Sequence, residues 1–418
     1  MLGSLLREVR ERVSDANIYR VYLTTFALGV AYGIAISVLA IHLDQRGFGK
    51  EAIGELAAAF ALGIVALSLP MGALIRRFSA KAVLAASLFG YALTVGLFPL
   101  LHSYGAIAFV RFFDGAFSVG VWVSSETILL SRARREHKAY VTSLYAIAIA
   151  VGYIVGPIVA RIATSVLPIE LAFATSSAIA LSAGVYAALR IERNASDGTA
   201  HHADTVVAST NKPSAWRLLY LIKNSCFATF AYGYFQASVV LFLPLFLTES
   251  KGIHKEQTIL IPAFFAGGML LFSNAAGRVG DRVGHLAVMR VLGVVGMTMI
   301  GSFVYLDSYA MMCAAVFVAG ASLASISPVS LALQGVITSE YSRATAIYNA
   351  FYAAGMLLGP PISSRIFQAH GGAAMLFHLA ALWALFVAFS IVFYRDDPAV
   401  QKKRQPELLV EGDPGPSP

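Results

Sequence analysis

Three ionisable side chains, Arg111, Asp114 and Glu126, fall within one apolar stretch at residues 105–130. A charge in such surroundings is costly and is retained where it is paired or lines a cavity. Arg111 and Asp114 are three residues apart, so on a helix they share a face and can neutralise each other. Burial disfavours a charged carboxylate and a nearby guanidinium favours it. A change in the Arg111 contact would therefore let Asp114 take up and release a proton. Glu126 is the second candidate for this work. The competing reading is a static Arg111–Asp114 pair that fixes helix packing, with Glu126 reaching an interface near Arg132 and Arg134.

A second set of residues offers neutral hydrogen bonding. Ser225, Thr229, Tyr232 and Gln236 follow helical spacing, as do Tyr341, Thr345, Tyr348 and Tyr352 with Asn349 beside them. Ser322, Ser325, Ser327, Ser330 and Gln334 add a third stripe, while Tyr32 and Trp122 supply aromatic groups in the first half. Aromatic and amide groups on facing helices suit an amphiphilic ligand, giving apolar contact and a few orienting hydrogen bonds. Tyr32, Trp122, Tyr232, Gln236, Tyr348 and Asn349 are the expected ligand contacts. Hydroxyls in apolar helices also bond their own backbone or a neighbouring helix, which is the alternative for the serines and threonines.

The elements that position these groups follow from composition. With 58% hydrophobic and 13% charged residues in 418 and a mean hydropathy of +0.71, the chain is too apolar for a soluble globular protein. Twelve stretches reach the ~20 residues that cross a bilayer. They lie roughly at 19–43, 51–75, 82–101, 105–130, 139–164, 169–189, 217–247, 257–280, 285–305, 308–337, 343–368 and 373–394. The net charge of +8 is explained by its placement and does not point to nucleic acid. Assigned to alternate sides of the spans, 22 Lys and Arg fall on the side of the termini and six on the other, with Arg111, Lys223 and Arg290 within or at the edges of spans. By the positive-inside rule both termini are cytoplasmic.

The chain repeats itself. Gly152, Gly156 and Pro157 recur as Gly355, Gly359 and Pro360, and Ala31-Tyr32-Gly33 as Ala231-Tyr232-Gly233. A same-order repeat of helical halves is a transporter plan. Paired glycines one turn apart give a flat packing face, and the proline removes a backbone donor and kinks the helix. The expected organisation is an amphipathic segment at 1–18 lying on the membrane surface, or a solvated tail there, then a six-helix bundle at 19–190. A polar linker at 191–215, a second bundle at 216–394 and a disordered tail at 395–418 follow. The two cysteines and the His201-His202 pair indicate neither a disulfide nor a metal site. No paired nucleophile and base and no cofactor site is visible, so an enzyme is not expected.

Gly277-Arg278-Val279-Gly280-Asp281-Arg282-Val283-Gly284 is similar to the loop signature of the major facilitator superfamily. The equivalent first-half loop keeps Gly72 but has Arg76 and Arg77 where an aspartate and arginine are expected. Arg111-Phe112-Phe113-Asp114-Gly115 resembles the family's fourth-span motif, with Asp114 in place of glutamine. The resemblance implies an all-α membrane protein of twelve transmembrane helices in two pseudo-symmetric six-helix bundles around a cavity that opens alternately to each side. It further implies that the two loops latch the inner side, and that the glycine–proline segment of the fifth span sits between the halves, as in exporters. Ser143 and Ala160 depart from the full exporter pattern, and the first span holds no acid before Asp44.

The expected protein is a monomeric carrier in a bilayer, in a bacterial inner membrane, that exports a small amphiphilic organic compound by proton antiport. An importer or facilitator of a sugar, carboxylate or siderophore-like nutrient, with Arg111 as an anion site, is the competing reading. A non-transporting assembly factor or intramembrane enzyme is the alternative of another class.

Overall fold

A backbone in hydrocarbon must satisfy every N–H and C=O internally, which leaves helices or closed barrels. In the computed structural model the described residues, 13, 15–134, 137–192, 214–338 and 341–397, are nearly all helical and include no strand. The first half comprises α1 (Ala16–Gln45), α2 (Lys50–Phe78), α3 (Ala80–Leu97), α4 (Tyr104–Arg132), α5 (Lys138–Val166) and α6 (Glu170–Arg190). After a short helix, Ala215–Leu221, the second half begins with α7 (Lys223–Lys251), α8 (Ile261–Val283) and α9 (His285–Phe303). The tenth span, α10, is interrupted: Tyr309–Ala319 and Ser325–Ile337 flank a π-helical turn at Gly320–Ala324. The last helical run, Tyr341–Val392, breaks at Gly371, where φ is 83°. It supplies α11 (341–370) and α12 (372–392). Eleven described runs are long and apolar enough to span a bilayer, and this break makes twelve spans of them. Most of the expected surface segment, linker and tail lies outside the described residues.

Within each half the tightest packing is backbone on backbone at glycine. A Cβ on Gly63 of α2 would lie 1.9 Å from the Phe112 carbonyl oxygen of α4, and one on Gly115 would lie 2.0 Å from that of Phe60. Gly268 of α8 and Gly320 of α10 are pressed against Phe317 and Phe265 in the same way, at 2.0 and 2.1 Å. The two crossings are related by the internal repeat. The repeated glycine–proline segments make the next pair of contacts: Gly152 and Gly156 meet Gly29 and Gly33 of α1, and Gly355 and Gly359 meet Phe230 and Tyr234 of α7. These glycines therefore face inward within their own bundle. The α5 helix also packs against α8 of the other bundle, and Tyr153 within its segment lines the space between the halves.

Each half is closed by a polar clasp at the end bearing the termini. In the first, Asn17 donates to Glu192 at 3.4 Å and Arg20 pairs with it at 3.1 Å, while Arg132 of α4 reaches Asp15 at 2.9 Å. In the second, Asn224 and Lys223 both donate to Asp396, at 3.1 and 2.5 Å. An asparagine and a cation at the start of the first helix thus hold an acid just past the end of the sixth, in both halves. Burial opposes ionisation of Asp15, but the Asn17 N–H and the Arg132 guanidinium outweigh it and hold this carboxyl below its ordinary value. The Arg20 and Asn17 hydrogen bonds do the same for Glu192.

The bundles meet at the opposite end. Lys50 of α2 pairs with Glu249 of α7 at 2.9 Å and sits over the Phe367 ring. One turn on, a Cβ on Gly54 would lie 2.7 Å from the Pro360 carbonyl oxygen of α11. At the termini end Arg76, Arg77, Asp281 and Arg282 are exposed. Gly72 has only the Arg76 guanidinium near it and Gly277 has nothing. Asp281, near the end of α8, is hydrogen-bonded at 3.2 Å to His285 at the start of α9. The interior is open toward the termini and shut at the other end.

The loop between α2 and α3 turns at Ser79, where φ is 80° and ψ is 149°, while the matching turn before α9 has Gly284 at φ 113°. A serine in this glycine region costs roughly 1–3 kcal/mol, and its hydroxyl cap is worth only a few tenths more than a glycine. Ser79→Gly should raise the thermal unfolding midpoint in detergent by about 1 kcal/mol of stability. An unchanged or lowered midpoint counts against strain there.

The clasps also predict a pH response. The folded-state values of Asp15 and Glu192 lie below the unfolded ones, so their stabilisation is complete above roughly pH 5 and is lost as pH falls through about 4 and below. The unfolding midpoint should fall over this acid range, and by less in Glu192→Gln. In the second half, Asp396→Ala removes the acceptor shared by Lys223 and Asn224, leaving Lys223 only the Tyr220 carbonyl, and should cost about 1–3 kcal/mol, read in the same assay.

Candidate functional site

A cavity of about 380 Å³ lies between the bundles, bounded by α1, α2, α4 and α5 on one side and α7, α8, α10 and α11 on the other. This volume is within the range of small-molecule sites. Tyr32, Arg111, Trp122, Tyr232, Gln236, Tyr348 and Asn349 all line it, so the expected ligand contacts come together in one place.

Repeat-related aromatics form much of the wall. Tyr32 of α1 packs 5.4 Å from Tyr153 of α5 and 6.3 Å from Phe60 of α2, ring centre to ring centre. Across the cavity, Tyr232 of α7 stacks on Tyr352 of α11 at 6.1 Å. The Tyr352 hydroxyl donates to Gln236 Oε1 at 2.9 Å, which leaves the Gln236 amide nitrogen for other partners. Tyr348 is held by Ser327 and Ser330, its hydroxyl 3.1 and 2.9 Å from theirs. Asn349 is exposed on the open side.

The charged wall belongs to α4. Arg111 and Asp114 form an ion pair, and the guanidinium carbon lies 4.4 Å above the Phe60 ring. A cation over an aromatic face gains further attraction where water is excluded. Asp114 is 5% exposed, and its second oxygen, Oδ1, has no hydrogen-bond partner. Asp114 borders a second chamber of about 20 Å³ behind the pair, lined also by residues of α1, α3 and α6. Arg111 lines both spaces, so the pair is a partition between them. Glu126 is not among the cavity's lining residues; it is exposed nearer the termini.

Many hydroxyls of the stripes serve the backbone. Thr24, Thr25 and Ser37 donate to carbonyls four residues earlier in α1, and Ser322 and Ser325 do so in α10. Ser225 ties α7 to the Ser330 carbonyl of α10. Polar type at helical spacing therefore marks the right helices but overcounts the site.

Phe60, Tyr153 and Phe265 line the cavity although the polar pattern of the sequence does not single them out. A search for polar stripes passes over phenylalanines, even though Phe60 and Phe265 occupy matching places in the two halves, 205 residues apart. Tyr153 sits inside the first glycine–proline segment, where packing hides its second role.

The comparisons with known proteins agree with this architecture. The family model described as Major Facilitator Superfamily matches residues 21–225 and 225–411. An uncharacterized MFS-type transporter of Methanocaldococcus jannaschii is 19% identical over 379 residues, covering 89% of this chain and 96% of the relative. Among solved structures, a mutant form of the nucleoside transporter NupG superposes with a TM-score of 0.74 at 14% identity, covering 90% of this chain and 97% of its own. A bacterial homolog of the human lysosomal transporter Spinster, in an inward-facing and unoccupied conformation, gives 0.74 at 13% identity, covering 91% and 98%. With twelve spans in two repeated bundles around one cavity, and a family match along both halves, the chain belongs to the Major Facilitator Superfamily of membrane transporters.

Proposed function

We propose that this transporter exports a small amphiphilic organic compound by proton antiport, with Asp114 as the proton-carrying group. The observation that carries the reading is the Arg111–Asp114 pair in the wall of an otherwise neutral, tyrosine-rich cavity. Stacked tyrosines favour a ligand with a flat apolar body, and Gln236 and Asn349 can orient one polar end. A buried ion pair that loses one charge costs several kcal/mol. Protonation of Asp114 would therefore release Arg111 and change the relative stability of the two ends of the transport cycle.

The distribution of Lys and Arg supports cytoplasmic termini. The open end then faces the cytoplasm, the side from which an exporter loads. The loops at 72–81 and 277–285 would close that side in the other state. The charged groups they need for this, Arg76, Arg77 and Arg282, are exposed in the present one. Glu126, exposed on this side, is the second candidate for proton work. In this reading the protein works as a monomer in a bacterial inner membrane and needs no cofactor.

A second reading rests on Arg111 itself, which borders the cavity directly. An anionic substrate could take Asp114's place on the guanidinium, and entry of substrate and proton would then go together. One fold neighbour is titled a human organic anion transporter, at a TM-score of 0.65 and 14% identity.

Purified protein in liposomes with an imposed pH gradient, tested against a broad compound panel, separates these readings. Antiport gives proton movement opposite to substrate, and the second reading gives movement in the same direction. No substrate-linked proton movement with any compound would remove both. Asp114→Asn should reduce proton movement per substrate at least tenfold while the protein still inserts and unfolds cooperatively. Tyr352→Phe removes the hydrogen bond that fixes Gln236. It should weaken binding of the transported compound about twofold to tenfold, equivalent to about 0.5–1.5 kcal/mol, with proton movement per substrate unchanged.

A further inference from the structure

His42 lies near the closed end of α1, 1% exposed and outside the lining of the large cavity. Its ring packs 6.0 Å from Phe98, just past the end of α3, and 5.1 Å from Phe173 of α6. Its Nδ1 is 3.9 Å from Glu170 Oε1, too long for a hydrogen bond and short enough for a small ring movement to make one. Its Nε2 has no partner. A phenylalanine would fill this aromatic pocket without burying two polar nitrogens, so packing alone does not account for a histidine here.

The chamber behind Asp114 ends at the same two rings. It is bounded along α1 from Tyr32 to Leu39, by Tyr91 and Thr94 of α3, by Phe98 just beyond that helix, and by Phe173. Leu39 is one helical turn from His42. The chamber's volume of about 20 Å³ exceeds the roughly 10–15 Å³ that one water requires. Phe98 and Phe173, 5.2 Å apart, stand between it and the imidazole. On the far side of His42, Glu170 is 46% exposed at the closed end.

We infer that Glu170, His42 and the chamber behind Asp114 form a proton path from the closed end of the transporter to Asp114, inside the first bundle and separate from the substrate cavity. Glu170 takes a proton from the solution and passes it to Nδ1 of the neutral imidazole. The proton on Nε2 leaves through the chamber to Asp114 Oδ1, and exchange of the two ring positions restores the starting tautomer. One proton enters and one leaves. Phe98 and Phe173 act as a shutter that breaks the path when their rings are closed, which prevents a steady leak. The charged and titratable groups around this route are Glu170 and Arg46 beside His42, and Arg111, Tyr32 and Tyr91 around Asp114. The inference rests on Asp114 being the proton-carrying group.

The path explains how Asp114 can exchange a proton with one side while the cavity is open to the other. It is tested without knowing the substrate. Protein is reconstituted in one orientation, with the closed end held shut by a bis-maleimide bridge between K50C and E249C. The solution pH is stepped on one side, and the infrared carbonyl band of protonated Asp114, identified by its loss in D114N, is timed. The band should follow a step on the closed side. In H42F and in H42Q it should follow that step at least tenfold more slowly, with the response to a step on the cavity side unchanged. H42F should also raise the thermal midpoint, since it removes the unpartnered buried Nε2. An equally fast closed-side response in H42F, or a native band that answers only to the cavity side, overturns the path and leaves Asp114 coupling in place. If D114N removes no titrating band, the path and the proposed proton site fall together.

Discussion

The structure depends on helix backbones that touch. In hydrocarbon there is little hydrophobic drive between helices, and association relies on close contact and on the few polar bonds available. At Gly63 with Gly115, and at Gly268 with Gly320, no side chain separates the crossing helices. Any larger residue at these four places would push α2 from α4, or α8 from α10. The cavity walls would move with them, because Phe60 and Phe265 supply both a backbone carbonyl to these contacts and a ring to the cavity. The packing that builds each bundle and the surface that meets a ligand are therefore set by the same residues.

Against that neutral frame, the α4 ion pair is a strongly polar feature of the cavity wall. Its surroundings divide its two members. Arg111 has an aromatic face and access to the larger space, whereas Asp114 borders only the smaller and keeps one oxygen unpartnered. In a low-dielectric interior the two charges hold each other strongly, and neither is easily left alone.

Much of this is legible in the sequence. Spans follow from length and apolarity, and Arg111 with Asp114 from a charge pair at helical spacing. Tyr232, Tyr348 and Tyr352 of the cavity follow from polar stripes, whereas Tyr153 does not. What is not legible depends on three-dimensional crossing. The clasp acids Glu192 and Asp396 look like ordinary loop residues until the asparagines at 17 and 224 are seen to reach them. The π turn at Gly320 leaves no mark in the local sequence beyond a glycine, which lies against the backbone of α8. The glycine–proline segments announce tight packing but not the partner, which proves to be the first helix of the same half. Ser79 shows the reverse case: the repeat asks for glycine there, and the backbone keeps the glycine conformation with the wrong residue in it.

The clasps carry a consequence for how such a protein moves. Each joins the two ends of one six-helix ring, so each half approximates a rigid body whose internal coordinates are used up. What remains is essentially one hinge angle between two solids. A barrier on that single coordinate must then be located in the surface where the solids meet, at Lys50, Glu249 and Gly54. The speed of the cycle and the robustness of the fold are accordingly set by different residues, and selection could tune one without disturbing the other.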